Sequence, residues 1–228
     1  SQAKVSAAAA PSALPSVAGQ AMDAEPARDL LEQGRPLLTM EATSIDWDEF
    51  EQLFDQACRL SAQHRTDLAE AFEDIRELAD RNQDQARPEQ SRRIRALATD
   101  YLAEGHARQA ESLGLNGELL DFVLNNSLHP FLRAQAAALA SWLDDDRWHR
   151  GHCPACGGEP DLALFEKETG ARRLLCSRCD TEWAFKRVAC PFCGNEDPRQ
   201  LAHYPGENGG YRLDVCEACG RYLKTVDR

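Results

Sequence analysis

Four Cys-x-x-Cys pairs in the last third of the chain constrain its fold more than any other feature of the sequence. They hold eight of the nine cysteines. The eight are Cys153, Cys156, Cys176, Cys179, Cys190, Cys193, Cys216 and Cys219. Two residues between cysteines let one tight turn direct both sulfurs at a single ion, and two such turns complete a tetrahedral set of four thiolates. The pattern therefore predicts metal binding.

The spacing of the pairs favours a shared ion between consecutive Cys-x-x-Cys turns. The first two turns are separated by 19 residues and the last two by 22, close to the roughly 15 to 20 residues of ribbon-like zinc sites. Only ten residues separate the second turn from the third. A shared ion there would leave the outer turns to meet over a much longer loop, and this arrangement stays open. Gly157, Gly194 and Gly220 directly follow three of the turns, where glycine can adopt a positive φ.

Two interpretations of these cysteines without metal have less support. Four disulfides require an oxidising compartment, and Ser1–Pro15 lacks the basic start and apolar core of a secretory signal. Thioredoxin-like redox pairs enter a helix within a βαβ unit, a context that is not predicted here. The sequence also contains no nucleophile with an adjacent base, no phosphate loop and no open three-ligand metal site. We therefore do not expect an enzyme.

Residues 22–150 are predicted to form an all-helical domain. Ser44 is a candidate N-cap for a helix in which Phe50, Phe54 and Cys58 recur at steps of four residues, which places them on one buried face. Cys58 continues an apolar stripe, so we expect a small buried hydrophobe there and not a ligand or nucleophile.

Several other residues of the helical domain allow predictions. The polar run Asp80–Glu89 indicates a loop, and Pro130 is expected to be the first residue of a helix. His64, His106 and His129 stand alone, without a second acidic or histidine side chain at catalytic spacing. Each is interpreted as a surface or hydrogen-bonded core histidine.

The net charge of −12 is distributed unevenly. Residues 1–150 carry 15 basic and 26 acidic side chains, whereas residues 151–228 carry 11 and 12. An acidic body repels phosphate backbones, which disfavours nucleic acid as a partner. The run Asp144–Asp146 is interpreted as a solvated helix end, with a divalent cation site as the weaker alternative. No apolar run approaches 18 residues, so no membrane span is expected.

The cysteine-rich region contains four stretches that favour β-structure. They are Leu162–Glu168, Arg172–Leu175, Trp183–Val188 and Tyr211–Val215. With turn signals at Thr169-Gly170 and Asn208–Gly210, they predict two small β-ribbons. A ribbon of about 35 residues cannot gather a large core, so the ions are expected to supply the missing folding free energy.

The predicted fold class is α+β, with an N-terminal all-helical domain followed by two small rubredoxin-like or zinc-ribbon-like β modules. We expect a flexible N-terminal arm at residues 1–21 and the helical domain at residues 22–150. The first four-cysteine module is predicted at residues 151–188 and the second at residues 189–228.

Three segments around the cysteines resemble the formate dehydrogenase accessory protein family, FdhE, in that family's order. They are His152–Pro160, Leu175–Gly194 and Cys216–Lys224. The resemblance is close over residues 152–226, whereas the helical domain is similar to the family's only in kind. Family members often continue past the last turn with another helical stretch, whereas this chain stops at Arg228. A short or shortened member is therefore expected.

The resemblance implies a cytoplasmic accessory or maturation factor that formate dehydrogenase activity requires and that interacts with the catalytic subunit. It implies two rubredoxin-like sites for metal ions. Iron is the family expectation, and zinc is the alternative, because four thiolates suit both. One ion would be held by Cys153, Cys156, Cys176 and Cys179. The other would be held by Cys190, Cys193, Cys216 and Cys219.

The resemblance also marks residues between and after the turns that could face a partner. These are Glu182, Trp183, Lys186, Arg187, Tyr222 and Lys224. For Trp183 the favoured interpretation is packing against a turn. Two other function classes compete: a rubredoxin-like electron carrier and, with less support, a zinc-ribbon nucleic-acid-binding module. The sequence makes no prediction about oligomeric state.

Overall fold

The computed structural model describes residues 24–38, 43–77, 87–143, 147–207 and 209–227. The helices are α1 Ala24–Glu32, α2 Trp47–His64, α3 Ala69–Glu77, α4 Arg87–Glu104 and α5 Gly117–Ala138. The strands are β1 Pro160–Phe165, β2 Arg172–Cys176, β3 Glu182–Phe185, β4 Leu201–Pro205, β5 Tyr211–Cys216 and β6 Tyr222–Asp227. The α-helices of the described residues all precede the strands, so the α+β fold class is confirmed.

The apolar stripe of α2 lies in the helical core, as predicted. Phe50, Phe54 and Cys58 are each at most 1% exposed. The predicted N-cap is wrong, however, because Asp46 and not Ser44 caps the helix. The Asp46 carboxylate accepts hydrogen bonds from the backbone amides of the first turn, both at 3.1 Å. Ser44 instead pairs its backbone with a side chain of α5.

Helix α5 contradicts the prediction for Pro130. The helix runs without interruption from Gly117 to Ala138, and Pro130 lies inside it. A proline removes the amide that would bond the carbonyl four residues earlier, which belongs to Asn126. Because Asn126 is exposed, water can satisfy that carbonyl. The helix therefore tolerates Pro130 in its interior.

Helix α4 begins earlier than the predicted loop allows. It starts at Arg87, so the last three residues of the expected loop Asp80–Glu89 are helical. Pro88 then lies in the first turn, where a missing amide costs no helical hydrogen bond. The rest of that loop, the arm at residues 1–21 and the run Asp144–Asp146 lie outside the described residues.

The strands form one six-stranded sheet in the order β3-β2-β1-β6-β5-β4. The two ribbons are therefore joined, because β1 pairs with β6 in parallel from Leu162 opposite Lys224 to Phe165 opposite Asp227. The other neighbours are antiparallel. Strands β4 and β6 were not predicted. Two predicted strands end early, at Phe165 and at Phe185.

The first half of the sheet shares a core with the helices. Ala163, Leu174 and Trp183 are each at most 1% exposed and belong to the same buried cluster as the helical residues. The segment after α1 adds backbone hydrogen bonds, from Leu37 to the Pro154 carbonyl at 3.0 Å and from Leu38 to the Ala155 carbonyl at 2.8 Å. The first module therefore buries more apolar surface than the sequence analysis predicted for a ribbon of about 35 residues. In the part of the chain that the structure describes, we find no helix with the length and apolar character needed to cross a membrane.

Candidate metal centres

The first and second Cys-x-x-Cys turns bring their sulfurs together, and we call this cluster site 1. Its members are Cys153, Cys156, Cys176 and Cys179. The Sγ atoms of Cys153 and Cys179 lie 3.6 Å apart, and those of Cys156 and Cys176 lie 3.5 Å apart. The four sulfurs all lie within 4.8 Å of one another.

The third and fourth turns form an equivalent cluster, which we call site 2. Its members are Cys190, Cys193, Cys216 and Cys219. The Sγ atoms of Cys190 and Cys219 are 3.7 Å apart, as are those of Cys193 and Cys216. The structure therefore places the eight cysteines in the partition that their spacing favours, and not in the alternative that joins the second and third turns.

Both clusters fit a tetrahedral ion. A metal–sulfur bond of about 2.3 Å in a regular tetrahedron gives sulfur–sulfur distances of about 3.8 Å, and the closest pairs measure 3.5 to 3.7 Å. Disulfide bonds would need about 2.05 Å, and all nine cysteines are free thiols. Each cluster could hold one metal ion.

All four turns use one residue in the left-handed region directly after the second cysteine. Gly157, Gly194 and Gly220 have φ of 75°, 74° and 70° there, and the expected role of these glycines is seen. The equivalent residue of the second turn is Asp180, with φ of 59°. Its amide donates to the Cys176 carbonyl at 3.3 Å, which closes the same turn without glycine.

Asp180 also ties site 1 to α5, a role that the sequence analysis missed. One carboxylate oxygen lies 3.1 Å from Nε2 of His129, and the other lies 3.3 Å from Nε of Arg133. His129 is therefore hydrogen-bonded, in agreement with its interpretation. His64 and His106 are exposed, also as expected.

The second turn of site 1 makes further contacts with the helices. The buried Arg178 guanidinium donates to the carbonyls of Tyr101 at 3.1 Å and Leu102 at 3.3 Å, at the end of α4. Asn125 of α5 donates to the Ser177 carbonyl at 3.1 Å. The Tyr101 carbonyl also accepts from the Gly105 amide at 2.9 Å, so Arg178 adds a second donor to that carbonyl and one donor to the Leu102 carbonyl at the C-terminal end of α4.

Burial separates the two sites. In site 1 three cysteines are at most 2% exposed and Cys156 is half-buried. In site 2 Cys190 and Cys216 are each 3% exposed, Cys219 is half-buried and Cys193 is exposed. Solvent and a partner can therefore contact site 2 at Cys193.

The protonation of site 1 shows why a cation suits it. Hydrogen bonding with Cys153 raises the pKa of Cys156 and of Cys176 well above the usual thiol value, and it lowers the pKa of Cys179. Thiolates at these distances repel one another, so some sulfurs keep their protons. A bound cation stabilises all four as thiolates.

The remaining predicted residues fall into two groups. Cys58 is 1% exposed and belongs to neither cluster, and burial raises its pKa to about 12. Its interpretation as a buried hydrophobe therefore agrees with the structure. Trp183 is 1% exposed and its indole donates to the Arg150 carbonyl at 2.9 Å, so it cannot face a partner. Four other residues that the resemblance marked as able to face a partner are exposed. They are Lys186, Arg187, Tyr222 and Lys224.

An ion pair between the two modules was also missed. The Arg221 guanidinium, two residues after Cys219, lies 2.8 and 2.6 Å from the two Glu159 carboxylate oxygens. It also stacks 3.6 Å from the Phe192 ring centroid. Because 62 residues separate the pair, no local sequence pattern indicates it.

The chain is similar to FdhE proteins. A family model described as "FdhE, central domain" matches residues 152–187. A curated FdhE homolog of Aquifex aeolicus is 26% identical over 202 residues, which cover 86% of this chain and 63% of that protein. One from Pseudomonas aeruginosa is 34% identical over 140 residues, which cover 54% of this chain and 44% of that protein. The chain thus spans less than two thirds of the length of these relatives.

A solved structure has a similar fold. The crystal structure of the FdhE protein from Pseudomonas aeruginosa matches with a TM-score of 0.52 and 23% sequence identity, over 90% of this chain and 67% of that chain. The likeness extends through both the helical body and the cysteine-rich region, because it covers 90% of this chain.

Proposed function

Because this chain belongs to the FdhE family, we propose that it is an accessory factor for formate dehydrogenase that binds two metal ions and contacts the catalytic subunit of that enzyme. In this proposal the protein carries out no reaction of its own. It acts in the cytoplasm, where reduced cysteines are available to hold metal. The helical body and site 1 form a rigid scaffold, and site 2 faces the client.

The observation that supports this proposal best is the pair of four-sulfur clusters. All eight predicted cysteines take part, four in each site, with sulfur–sulfur distances that suit a tetrahedral ion. Bound zinc would cross-link the two turns of each site, and bound iron would do the same and could also exchange an electron. The residues of the chain that hold the ions are the eight cysteines.

The different surroundings of the sites support a division of roles. Site 1 is attached to α4 through Arg178 and to α5 through Asn125 and Asp180. Changes there would disturb the helices. Site 2 has an exposed ligand, Cys193, and lies on the half of the sheet whose outer face displays Tyr204, Tyr211 and Tyr222, each 57% to 63% exposed. Tyrosines of this kind are frequent in protein interfaces.

A combined metal analysis and capture experiment tests the proposal. The tagged chain would be expressed anaerobically with a formate dehydrogenase catalytic subunit, purified, and assayed for iron, zinc and bound subunit. We expect two ions per chain and stoichiometric capture. Cys193→Ala should lower the metal content to about one ion and weaken capture, whereas Cys58→Ala should change neither. Full metal content without capture would contradict the accessory role.

A rubredoxin-like electron carrier is the second candidate, and the exposure of Cys193 favours it. An electron can reach an ion whose ligand touches solvent more readily than one enclosed in a core. This function requires iron in site 2 and reversible reduction. Voltammetry of the anaerobically purified protein tests it, and a protein that supports formate dehydrogenase with zinc in both sites would exclude it.

A further inference from the structure

A cleft beside site 2 contains an excess of arginine. It has a volume of about 160 Å³ and lies where the two halves of the sheet meet. Cys190 and Cys216 of site 2 form part of its wall. Four guanidinium groups line it as well. That of Arg221 is paired with the Glu159 carboxylate, which leaves those of Arg172, Arg187 and Arg212.

One carboxylate serves these three cations. Among the described residues that line the cleft, Asp214 is the only acidic one. Its Oδ1 accepts a hydrogen bond from Nε of Arg212 at 2.9 Å, and its Oδ2 accepts one from the Thr225 hydroxyl at 2.7 Å. The same Oδ2 is 3.5 Å from Nη2 of Arg172, at the outer limit of a hydrogen bond. The cleft therefore has two guanidinium charges that Asp214 does not balance.

Arg172 is the least expected of the three. Its side chain is only 4% exposed. Nη1 donates to the Ala189 carbonyl at 2.8 Å, but Nε has no hydrogen-bond partner among the described residues. Burial also lowers the pKa of this guanidinium. Asp214 and the Cys190 thiolate both favour its charged form, and a further anion in the cleft would offset more of the cost of burying this cation.

The two outer arginines are held in place without using all their donors. The guanidinium carbons of Arg187 and Arg212 lie 5.5 and 4.2 Å from the centroid of the Phe165 ring. Nη1 of Arg187 donates to the Gly170 carbonyl at 3.3 Å, and Nε of Arg212 donates to the Asp214 carboxylate. In the described part of the chain, the Nη groups of Arg212 have no acceptor. Stacked guanidiniums with free donors are preorganised for an oxyanion.

From this arrangement we propose that the cleft binds a single small oxyanion, either a carboxylate or a phosphate group, with Arg187 and Arg212 as its direct ligands. Arg172 is buried in the wall of the cleft and stabilises the anion by its positive charge. The volume suits one such group and excludes a nucleotide or a folded peptide segment. Since Cys190 and Cys216 border the cleft, the bound anion lies next to site 2. This site goes beyond the accessory function and does not depend on which metal the cysteines hold.

Titration calorimetry with the metal-loaded chain tests the proposal. Inorganic phosphate and acetate are titrated separately, and each is then used to compete with the other. We expect saturable binding at one site for at least one of them. Selectivity for phosphate indicates a free or phosphoryl ligand, whereas selectivity for acetate indicates a carboxylate, such as an acidic side chain of a partner.

Variants then locate the site. Arg187→Gln and Arg212→Gln should each weaken binding roughly tenfold, because each removes charge-assisted hydrogen bonds to the anion. Arg199→Gln is the matched control, since Arg199 lies in the same module, is 87% exposed and pairs with Asp197 outside the cleft. Arg199→Gln should bind as the unmodified chain does. Arg212→Gln releases Asp214, so Arg187→Gln, which leaves Asp214 paired, keeps the test interpretable if the other variant unfolds.

A spectroscopic measurement adds a second readout. With Co²⁺ in the cysteine sites, anion binding should shift the visible thiolate absorption of site 2, and Arg187→Gln should remove the shift at the same anion concentration. Absence of saturable binding, or equal weakening by Arg187→Gln and Arg199→Gln, would overturn the proposal. These experiments contain no formate dehydrogenase, so their failure would leave the capture experiment above unaffected.

Discussion

Sites 1 and 2 have the same four ligands and nearly the same turns, yet one belongs to the protein core and the other to its surface. Site 1 has three sulfurs that are almost fully buried among residues packed on the helices, and Arg178, Ser177 and Asp180 fasten it to α4 and α5. Site 2 has an exposed ligand residue, Cys193. Ligand identity therefore does not determine whether a cysteine cluster lies in the core or at the surface. The residues between and after its cysteines determine this, because they make the contacts with the helices.

Removal of one ligand from each site is the strongest way to break this comparison. Cys176→Ala should unfold both the first module and much of the helical body, with a loss of more than about 5 kcal/mol, because structural metal supplies a large share of folding free energy. Cys193→Ala should release one ion and leave the helices folded. Circular dichroism at helical wavelengths during thermal unfolding, with metal analysis, measures both effects.

The control for these variants is Cys58→Ala, which removes a buried sulfur outside both clusters. It should cost about 1 kcal/mol and leave both ions bound. If Cys176→Ala and Cys193→Ala lowered the helical unfolding temperature equally, the proposed difference between the sites would be wrong.

Metal release should also distinguish the sites. A chelator can reach site 2 from solvent, whereas site 1 must first open locally within the core. We expect two kinetic phases in the presence of a chromogenic chelator, with site 2 releasing its ion about tenfold faster or more. Cys193→Ala should abolish the fast phase. Persistence of that phase in the variant would assign it to site 1 and reverse the comparison.

The arginines beside the two sites provide a finer test. Arg178→Met removes two donors from the carbonyls of Tyr101 and Leu102, so it should lower the free energy of unfolding by about 2 to 3 kcal/mol. Arg221→Met removes the Glu159 ion pair near site 2, where the arginine side chain is 46% exposed. It should cost about 1 kcal/mol or less. Urea unfolding measures both, and equal costs would argue against a core role for site 1.

Local features of the chain were predictable from its sequence. The partition of the cysteines follows from the gaps of 19 and 22 residues, which can each hold a hairpin that brings two turns together, whereas the gap of ten residues would leave the outer turns to meet over a much longer loop. The stripe of Phe50, Phe54 and Cys58 follows from helical periodicity. In both cases the relevant residues are close in sequence, and the physical constraint acts within one or two elements.

The features that were missed depend on distant partners. The parallel pairing of β1 with β6 joins strands about 60 residues apart. Neither hydrophobic periodicity nor a turn residue in the sequence predicts such a pair. The Glu159–Arg221 ion pair has the same sequence separation. The local sequence around Pro130 indicates a helix start. Its actual position inside α5 depends on which face of that helix is solvated, and the local sequence does not show this. The arginines of the cleft meet only after the two halves of the sheet join.

Asp180 shows the same dependence on a distant partner, and it leads to the prediction with the smallest expected effect. Its φ of 59° would suit glycine, which occupies the equivalent position of the other three turns. Asp180→Gly should relieve about 1 kcal/mol of backbone strain and lose ion pairs with His129 and Arg133 worth about the same amount. The net change in the free energy of unfolding should therefore stay within about 1 kcal/mol.

The matched variant in site 2 separates these two contributions. Gly194→Ala has φ of 74° and no neighbouring atom within 4 Å of the added Cβ, so it should show the strain alone, at about 1 to 2 kcal/mol. Asp180→Asn keeps the backbone preference and removes the carboxylate charge, so it should show the lost pairing alone. If Asp180→Gly destabilised the protein by much more than Asp180→Asn, the carboxylate would not be what holds this turn against α5, and the attachment of site 1 to the helices would depend on Arg178 and Asn125 instead.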